Sequence, residues 1–205
     1  MIAVKHLLSL LLVAYSSVAL AQETAPDVQV KSITTEVIDI IKQDKDIQAG
    51  NPRKIADLVE KRILPHFSFA RMTRIAVAVN WRRATPEQQK ALTEEFKTLL
   101  VRTYSNALSL YRDQVIEFKP LRMRPGDDEV TVKSEIRQRG AQPVTLDYDM
   151  EKTPNGWKVF DVKVSGVSLI INYREDFAAQ VRESGIDGLI KVLVAKNRGA
   201  RSEKT

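Results

Sequence analysis

The chain has 205 residues, 43% of them hydrophobic and 28% charged, with a net charge of +6 and no cysteine. A chain of this length buries roughly 70% of the surface its unfolded form exposes, so a core forms without disulfides or structural zinc. The composition excludes a disordered chain, a disulfide framework, a thiol nucleophile and Cys ligation of a metal.

Residues 1–21, MIAVKHLLSLLLVAYSSVALA, carry Lys5, then an apolar centre from Leu7 to Ala14, then Ala19 and Ala21 bracketing Leu20. That is the pattern of a cleaved secretory signal, and its apolar centre is short for a bilayer span. Cleavage removes only Lys5 among the formal charges and leaves +5 on the chain from Gln22 onward. Export directs this basic balance toward anionic lipid surfaces or acidic proteins rather than nucleic acid.

From Asp27, the residues Val30, Ile33, Val37, Ile40, Ile41 and Ile47 recur at helical spacing until Gly50-Asn51-Pro52. A second amphipathic helix runs from Pro52 to Leu64 with Ile55, Leu58, Val59 and Ile63 on one face, and Pro65 stops it. Residues 67–79, FSFARMTRIAVAV, predict a helix buried on most sides. Thr85-Pro86-Glu87-Gln88 is a capping-box start, and the helix after it carries Leu92, Phe96, Leu99, Leu100, Tyr104, Leu108 and Tyr111 as one wide stripe.

Beyond Arg112 the period changes to two. Four strands are predicted, about Gln114 to Met123, Glu129 to Gln138, Pro143 to Lys152 and Trp157 to Ser165, joined by tight turns that favour an antiparallel meander. Val130, Val132, Ser134 and Ile136, then Val144, Leu146, Tyr148 and Met150, then Phe160, Val162 and Val164 mark an apolar face opposite a charged one. Helix returns at Tyr173 to Arg182 and at Ile186 to Lys196, and residues 198–205 read as a frayed tail. The predicted architecture is a single α+β domain over residues 22–197, a four-stranded twisted antiparallel sheet packed on one face by several helices.

Few residues carry chemistry. After cleavage His66 is the one histidine, beside Pro65 and Phe67, without a carboxylate at metal-ligand spacing or a G-x-S-x-G elbow. Asp127-Asp128 fall in a turn, Glu94-Glu95 on a polar helix face, and Asp147 and Asp149 on the charged strand face, so each reads as solvated. Phe118, Tyr148 and Phe160 lie opposite Lys133 and Arg137, which leaves no basic stacking platform for nucleic acid. What remains is bulk apolar surface, and periodicity serves a filled core and a lined cavity equally.

HFSFARMT at 66–73, ATPEQ at 84–88, LLVRTYSNALSLY at 99–111, WKVFDVKVSGVSLIINYREDF at 157–177 and GIDGL at 185–189 follow one another in an order and spacing that resemble the MlaC family of periplasmic phospholipid-binding proteins, also called toluene-tolerance proteins. The resemblance covers nearly the whole chain after the signal. It departs at Ser68, where many relatives carry an acidic residue, and near Ala78, where many carry a glycine.

The resemblance implies a sheet and helices enclosing a pocket for acyl chains. It also implies a periplasmic carrier that shuttles phospholipid between an outer-membrane lipoprotein–porin complex and an inner-membrane ABC transporter complex with its lipid-binding membrane-anchored subunit. No metal or cofactor is implied, and the phospholipid is cargo. The tail-contacting wall expected from the apolar faces is Val79, Leu100, Tyr104, Leu108, Phe118, Val132, Ile136, Leu146, Tyr148, Phe160, Val162, Val167 and Leu169. Arg82, Tyr173 and Arg174 are expected at the headgroup rim, since guanidinium binds phosphate in a fork. Arg71, Arg83, Lys196 and Arg198 are candidates for docking on an acidic partner or anionic membrane.

Two other readings stand beside the carrier. One is a small pocket enzyme with a carboxylate base, for which Glu117 is the loose candidate; the other is an adaptor that binds only protein.

Overall fold

The computed structural model describes residues 24–202, so the predicted signal at 1–21 and the last residues, 203–205, lie outside the described part. Helix α1 (Pro26–Gln43) is followed by the short α2 (Lys45–Gln48) and by α3 (Pro52–Leu58). The predicted single helix to Leu64 instead widens into a π-helical turn at Val59–Ile63 and closes in a 3-10 turn at Leu64–His66. Helix α4 (Phe69–Val77) buries Met72, Thr73, Ala76 and Val77, in keeping with its nearly continuous apolar sequence.

Helix α5 (Pro86–Tyr104) starts as its sequence predicts. The Thr85 hydroxyl accepts from the Gln88 amide at 3.2 Å, and the Gln88 side-chain oxygen accepts from the Thr85 amide at 3.0 Å. It tightens into a 3-10 segment at Ser105–Leu110, earlier than the stripe to Tyr111 predicts. Helix α6 (Arg174–Ser202) is two rods broken at Gly185, whose φ of 71° and ψ of −176° are open to glycine. Its second rod continues through residues 198–202, where a frayed tail was expected. Ala and Arg are good helix formers, and no proline interrupts them.

The sheet has five strands in sequential order rather than four: β1 (Val115–Phe118), β2 (Glu129–Arg137), β3 (Val144–Thr153), β4 (Gly156–Val164) and β5 (Val167–Ser168), every neighbouring pair antiparallel. The added strand follows from Ser165 and Gly166, at φ 50° and 79°. Two consecutive positive φ values make the tight turn whose twist matches a hairpin, and Val164 pairs Val167 across it. Strand β1 stops at Phe118, short of the predicted Met123, just before Pro120, which has no amide to pair.

Alternation in β2 and β3 holds: Val132 and Met150 are wholly buried. In β4 it breaks. Asp149 pairs Asp161 but Met150 pairs Val159, so Phe160 is the extra residue of a bulge. The bulge moves Phe160 off the apolar face expected for it, and the Arg71 guanidinium stacks on its ring at 3.6 Å from the ring centre. Arg71 also pairs with Glu151 at 2.7 Å and with Glu129, so this candidate docking cation is only 16% exposed and is held by its own sheet. Beside the bulge, Asp161 is buried with one carboxylate oxygen unpartnered, and that burial raises its pKa.

Helix α1 lies on the apolar face of the sheet. Val30 packs with Val132, Met150, Trp157, Val159 and Val162, while the Gln29 amide donates to the Trp157 carbonyl at 2.9 Å. A second cluster joins α4, α5 and α6 around Phe96, Leu92, Leu189 and Leu193. A third holds α1 through α3 with the end of α5.

Ala78 ends α4 at φ 54° and ψ −128°, a region that penalises any Cβ. Ala78→Gly should therefore stabilise the protein by about 1 kcal/mol, after the entropy glycine adds to the unfolded chain. Urea unfolding checks this; an unchanged or lower midpoint would refute it.

Candidate functional site

Where the three clusters meet, the chain leaves an apolar cavity. It has about 650 Å³ of atom-free space including its open mouth. The turn after α3 contributes Val59, Ile63 and Leu64, and the approach to α4 contributes Phe67, Phe69 and Met72. The end of α5 and its 3-10 extension supply Leu100, Val101, Tyr104, Ser105 and Leu108, and the sheet side supplies Val162 and Leu169. Other hollows among the described residues, with about 890, 1180 and 1070 Å³ of atom-free space including their open mouths, lie on turns and helix ends.

The local sequence explains the wall. Leu100 and Tyr104 stand one turn apart on α5, and Leu108 follows in the 3-10 segment beyond it. Val59 and Ile63 repeat at the same interval, and the wide π turn brings Leu64 round to join them. Ser68 donates its amide to the Val159 carbonyl at 2.8 Å and Phe67 bridges to Val159, which fixes the two phenylalanines along the outer edge of β4.

Of the thirteen residues expected on the wall, Leu100, Tyr104, Leu108, Val162 and Leu169 line the cavity. Phe118, Val132, Leu146 and Tyr148 lie in the cluster that α1 covers, because that helix fills the space over the sheet. Ile136 pairs Val144 and Ile116 at the far end of the strands. Val79 is 78% exposed and Val167 53% exposed, both on the outer surface, and Phe160 is turned away by the bulge. The contribution of 59–72 was missed, although Val59 and Ile63 stood out as one helical face.

Among the expected rim residues, Tyr173 packs edge-on to Phe96 at 5.1 Å between ring centres, close to Tyr104. Arg174 donates from Nε and Nη2 to the Ile75 carbonyl at 3.3 and 3.1 Å, closing the end of α4. Arg82 is exposed in the turn Ala78–Arg83.

Acid–base groups stand away from the cavity. His66 lies at the seam of α1 and β4, 3.5 Å from the Gln29 amide nitrogen, and burial followed by the Lys158 charge lowers its pKa. Glu117 pairs with Arg137 at 3.2 Å on the charged side of the sheet. Asp161 shares that side, since it pairs Asp149 while its neighbour Val162 pairs Tyr148. Among the described residues no cluster of three or more His, Cys, Asp or Glu is placed to hold a metal ion. None of the described helices is long and apolar enough to cross a membrane.

Against known proteins, the profile of the family described as "MlaC protein" matches residues 31–195. The chain belongs to the MlaC family. A solved structure, a phospholipid-binding protein from Ralstonia solanacearum in complex with a phospholipid, is 40% identical and superposes with a TM-score of 0.79, covering 86% of this chain and 98% of that one. The toluene tolerance protein ttg2D of Pseudomonas putida is 29% identical over 88% of this chain and 83% of its own. The intermembrane phospholipid transport system binding protein MlaC of Haemophilus influenzae is 22% identical over 82% of this chain and 80% of its own. The α+β fold and the family resemblance read from the sequence are thus borne out.

Proposed function

We propose that this protein is a phospholipid carrier that houses acyl chains in the cavity between the π turn after α3, the start of α4, the end of α5 and β4. It would move them across the periplasm between an outer-membrane lipoprotein–porin complex and an inner-membrane ABC transporter complex. The observation that carries this reading is the cavity wall, apolar apart from two hydroxyl-bearing residues, in a fold whose 40%-identical relative was solved with a phospholipid. Each methylene kept from water contributes about 0.8 kcal/mol, so tails in transit between membranes need such a shelter. The charged headgroup gains nothing from burial and stays at the mouth.

Carriage rather than catalysis accords with the wall. An enzyme of the alternative kind needs a carboxylate facing the substrate, whereas Glu117 and Asp161 face the other side of the sheet. The export signal expected at residues 1–21 agrees with a periplasmic site of action.

Organic extraction of the purified protein followed by mass spectrometry tests the reading. Phospholipid near one equivalent, retained without any added cofactor, is the expected result. Protein that is folded yet free of lipid, and that takes none from vesicles, would leave the adaptor reading in its place.

A further inference from the structure

We propose that the surface between the α2–α3 turn and the 3-10 segment Ser105–Leu110 is a docking face for an anionic bilayer, with Leu110 as its inserted side chain and lysines and arginines around it. The proposal adds to the carrier reading the face by which the protein meets a membrane.

The two segments border one open groove of about 1180 Å³ of atom-free space, with Gly50 and Pro52 on one side and Thr103, Ala107 and Leu110 on the other. A second hollow shares Gly50 and Pro52 and continues the groove to Asp46 and Arg53. Side chains three residues apart line up along a 3-10 helix. Ser105 and Leu108 therefore form one ridge, which lines the acyl cavity, while Ala107 and Leu110 form another, which lines the groove. Leu110 is 69% exposed, a large apolar side chain left in water with only small neighbours on its own ridge and across the groove.

Cations surround it. Arg53 borders the groove. Arg112 is fixed just past the segment, its Nη1 donating to the Ser109 and Tyr111 carbonyls at 2.6 and 2.7 Å. Lys42 sits over the Tyr111 ring, 5.9 Å from its centre. Lys45 and Arg102 stand next in sequence to Asp46 and Thr103, which line the groove. None of these cations is held in an ion pair among the described residues, whereas Lys54 nearby is tied to Asp44 at 3.0 Å. They outnumber the carboxylates of the same surface, Asp46 and Asp113.

A bilayer fits this chemistry better than a protein would. A protein hot spot is a packed pocket closed to water, whereas this groove is open and lined largely by small residues. A second copy of the chain would bring the same positive ring against it. A bilayer needs only an apolar side chain to pass between headgroups and cations to rest at their level. Docked in this way, the protein holds the membrane one ridge away from its acyl cavity.

Co-sedimentation of the purified protein with vesicles of phosphatidylglycerol and phosphatidylethanolamine, compared with vesicles of phosphatidylcholine alone, tests the docking face. The expected result is binding to the anionic vesicles at low salt, falling as salt rises, with little binding to phosphatidylcholine. Arg53→Gln should weaken binding roughly fivefold, and Leu110→Ser roughly threefold to tenfold. Arg139→Gln removes the same charge from the turn between β2 and β3 and should leave binding nearly unchanged. Arg53 and Leu110 lie outside the acyl cavity, so their variants should keep the lipid content of the unaltered protein.

Equal binding to phosphatidylcholine, equal weakening by Arg139→Gln and Arg53→Gln, or unaltered binding by Leu110→Ser overturns the docking face. Indifference to the anionic vesicles overturns it too, and leaves an acidic protein as the occupant. Lipid extracted from the same preparations decides the carrier reading separately. Protein that docks but holds no lipid keeps the docking face and loses the carrier; protein that holds lipid but ignores the vesicles does the reverse.

Discussion

Leu108→Trp should strip the purified protein of most of its bound phospholipid while leaving it folded. Leu108 is half-buried on the cavity wall in the 3-10 segment after α5, where a larger ring projects into open space rather than into a filled core. Each acyl methylene the ring displaces forfeits about 0.8 kcal/mol, so excluding two or three weakens binding by about tenfold or more. Leu146→Gln is the matched comparison. Leu146 sits on the apolar face of β3 beneath α1 and outside the cavity, so its variant should lose stability and keep its lipid. Phospholipid per folded protein, by extraction and mass spectrometry, separates the two. Full lipid content in Leu108→Trp would move the acyl site elsewhere.

The largest loss of stability is expected from Phe96→Ala. Phe96 has no exposed surface and meets Tyr173 and Phe177 edge-on, with ring centres 5.1 and 5.2 Å away. Its removal leaves a void among α4, α5 and α6 that costs about 3–5 kcal/mol. Domains of this kind have about 5–15 kcal/mol in all, so the melting midpoint should fall by about 10 °C or more. Calorimetry or circular dichroism checks the value; a shift of a degree or two would mean that the void refills.

The cavity is small for its proposed cargo. A methylene takes up about as much room as a water in the liquid, roughly 30 Å³, so 650 Å³, open mouth included, accommodates at most about 20 of them. That is one long acyl chain with little space for a second. Holding both chains therefore requires the wall to move outward, and its three sides belong to three different clusters.

Which parts were legible in the sequence follows from the range of the forces involved. The capping box at Thr85 and Gln88 and the alternation of Val130 to Ile136 are local, so the sequence displays them directly. Leu100 and Tyr104 stand one turn apart on α5, so the helical period shows their common face. The bulge at Phe160 is a property of pairing: it appears only when Met150 is seen opposite Val159. A strictly alternating reading of β4 therefore placed Phe160 inward and overlooked Trp157 and Val159, both buried.

The same limit governs the wall. The sheet offered Val132, Leu146 and Tyr148 as plausible lining, but α1 occupies the space above them, and nothing in β2 or β3 indicates which helix will lie there. Conversely, Val59, Ile63 and Leu64 belong to a helix that widens by one residue, a change of geometry to which a 3.6-residue pattern is blind. Ser165-Gly166 did carry a readable signal, a two-residue turn between apolar residues, but the partner strand is only two residues long.

The outermost strands of the sheet, four residues in β1 and two in β5, are its shortest. Pro120 lies just past the first, and Phe67 bridges to Val159 farther along the edge where the second ends. An open strand edge is a template on which other chains can add and grow into aggregates. By keeping both margins brief, the fold offers little foothold for strand addition, which suits a protein whose greasy interior must sometimes stand empty.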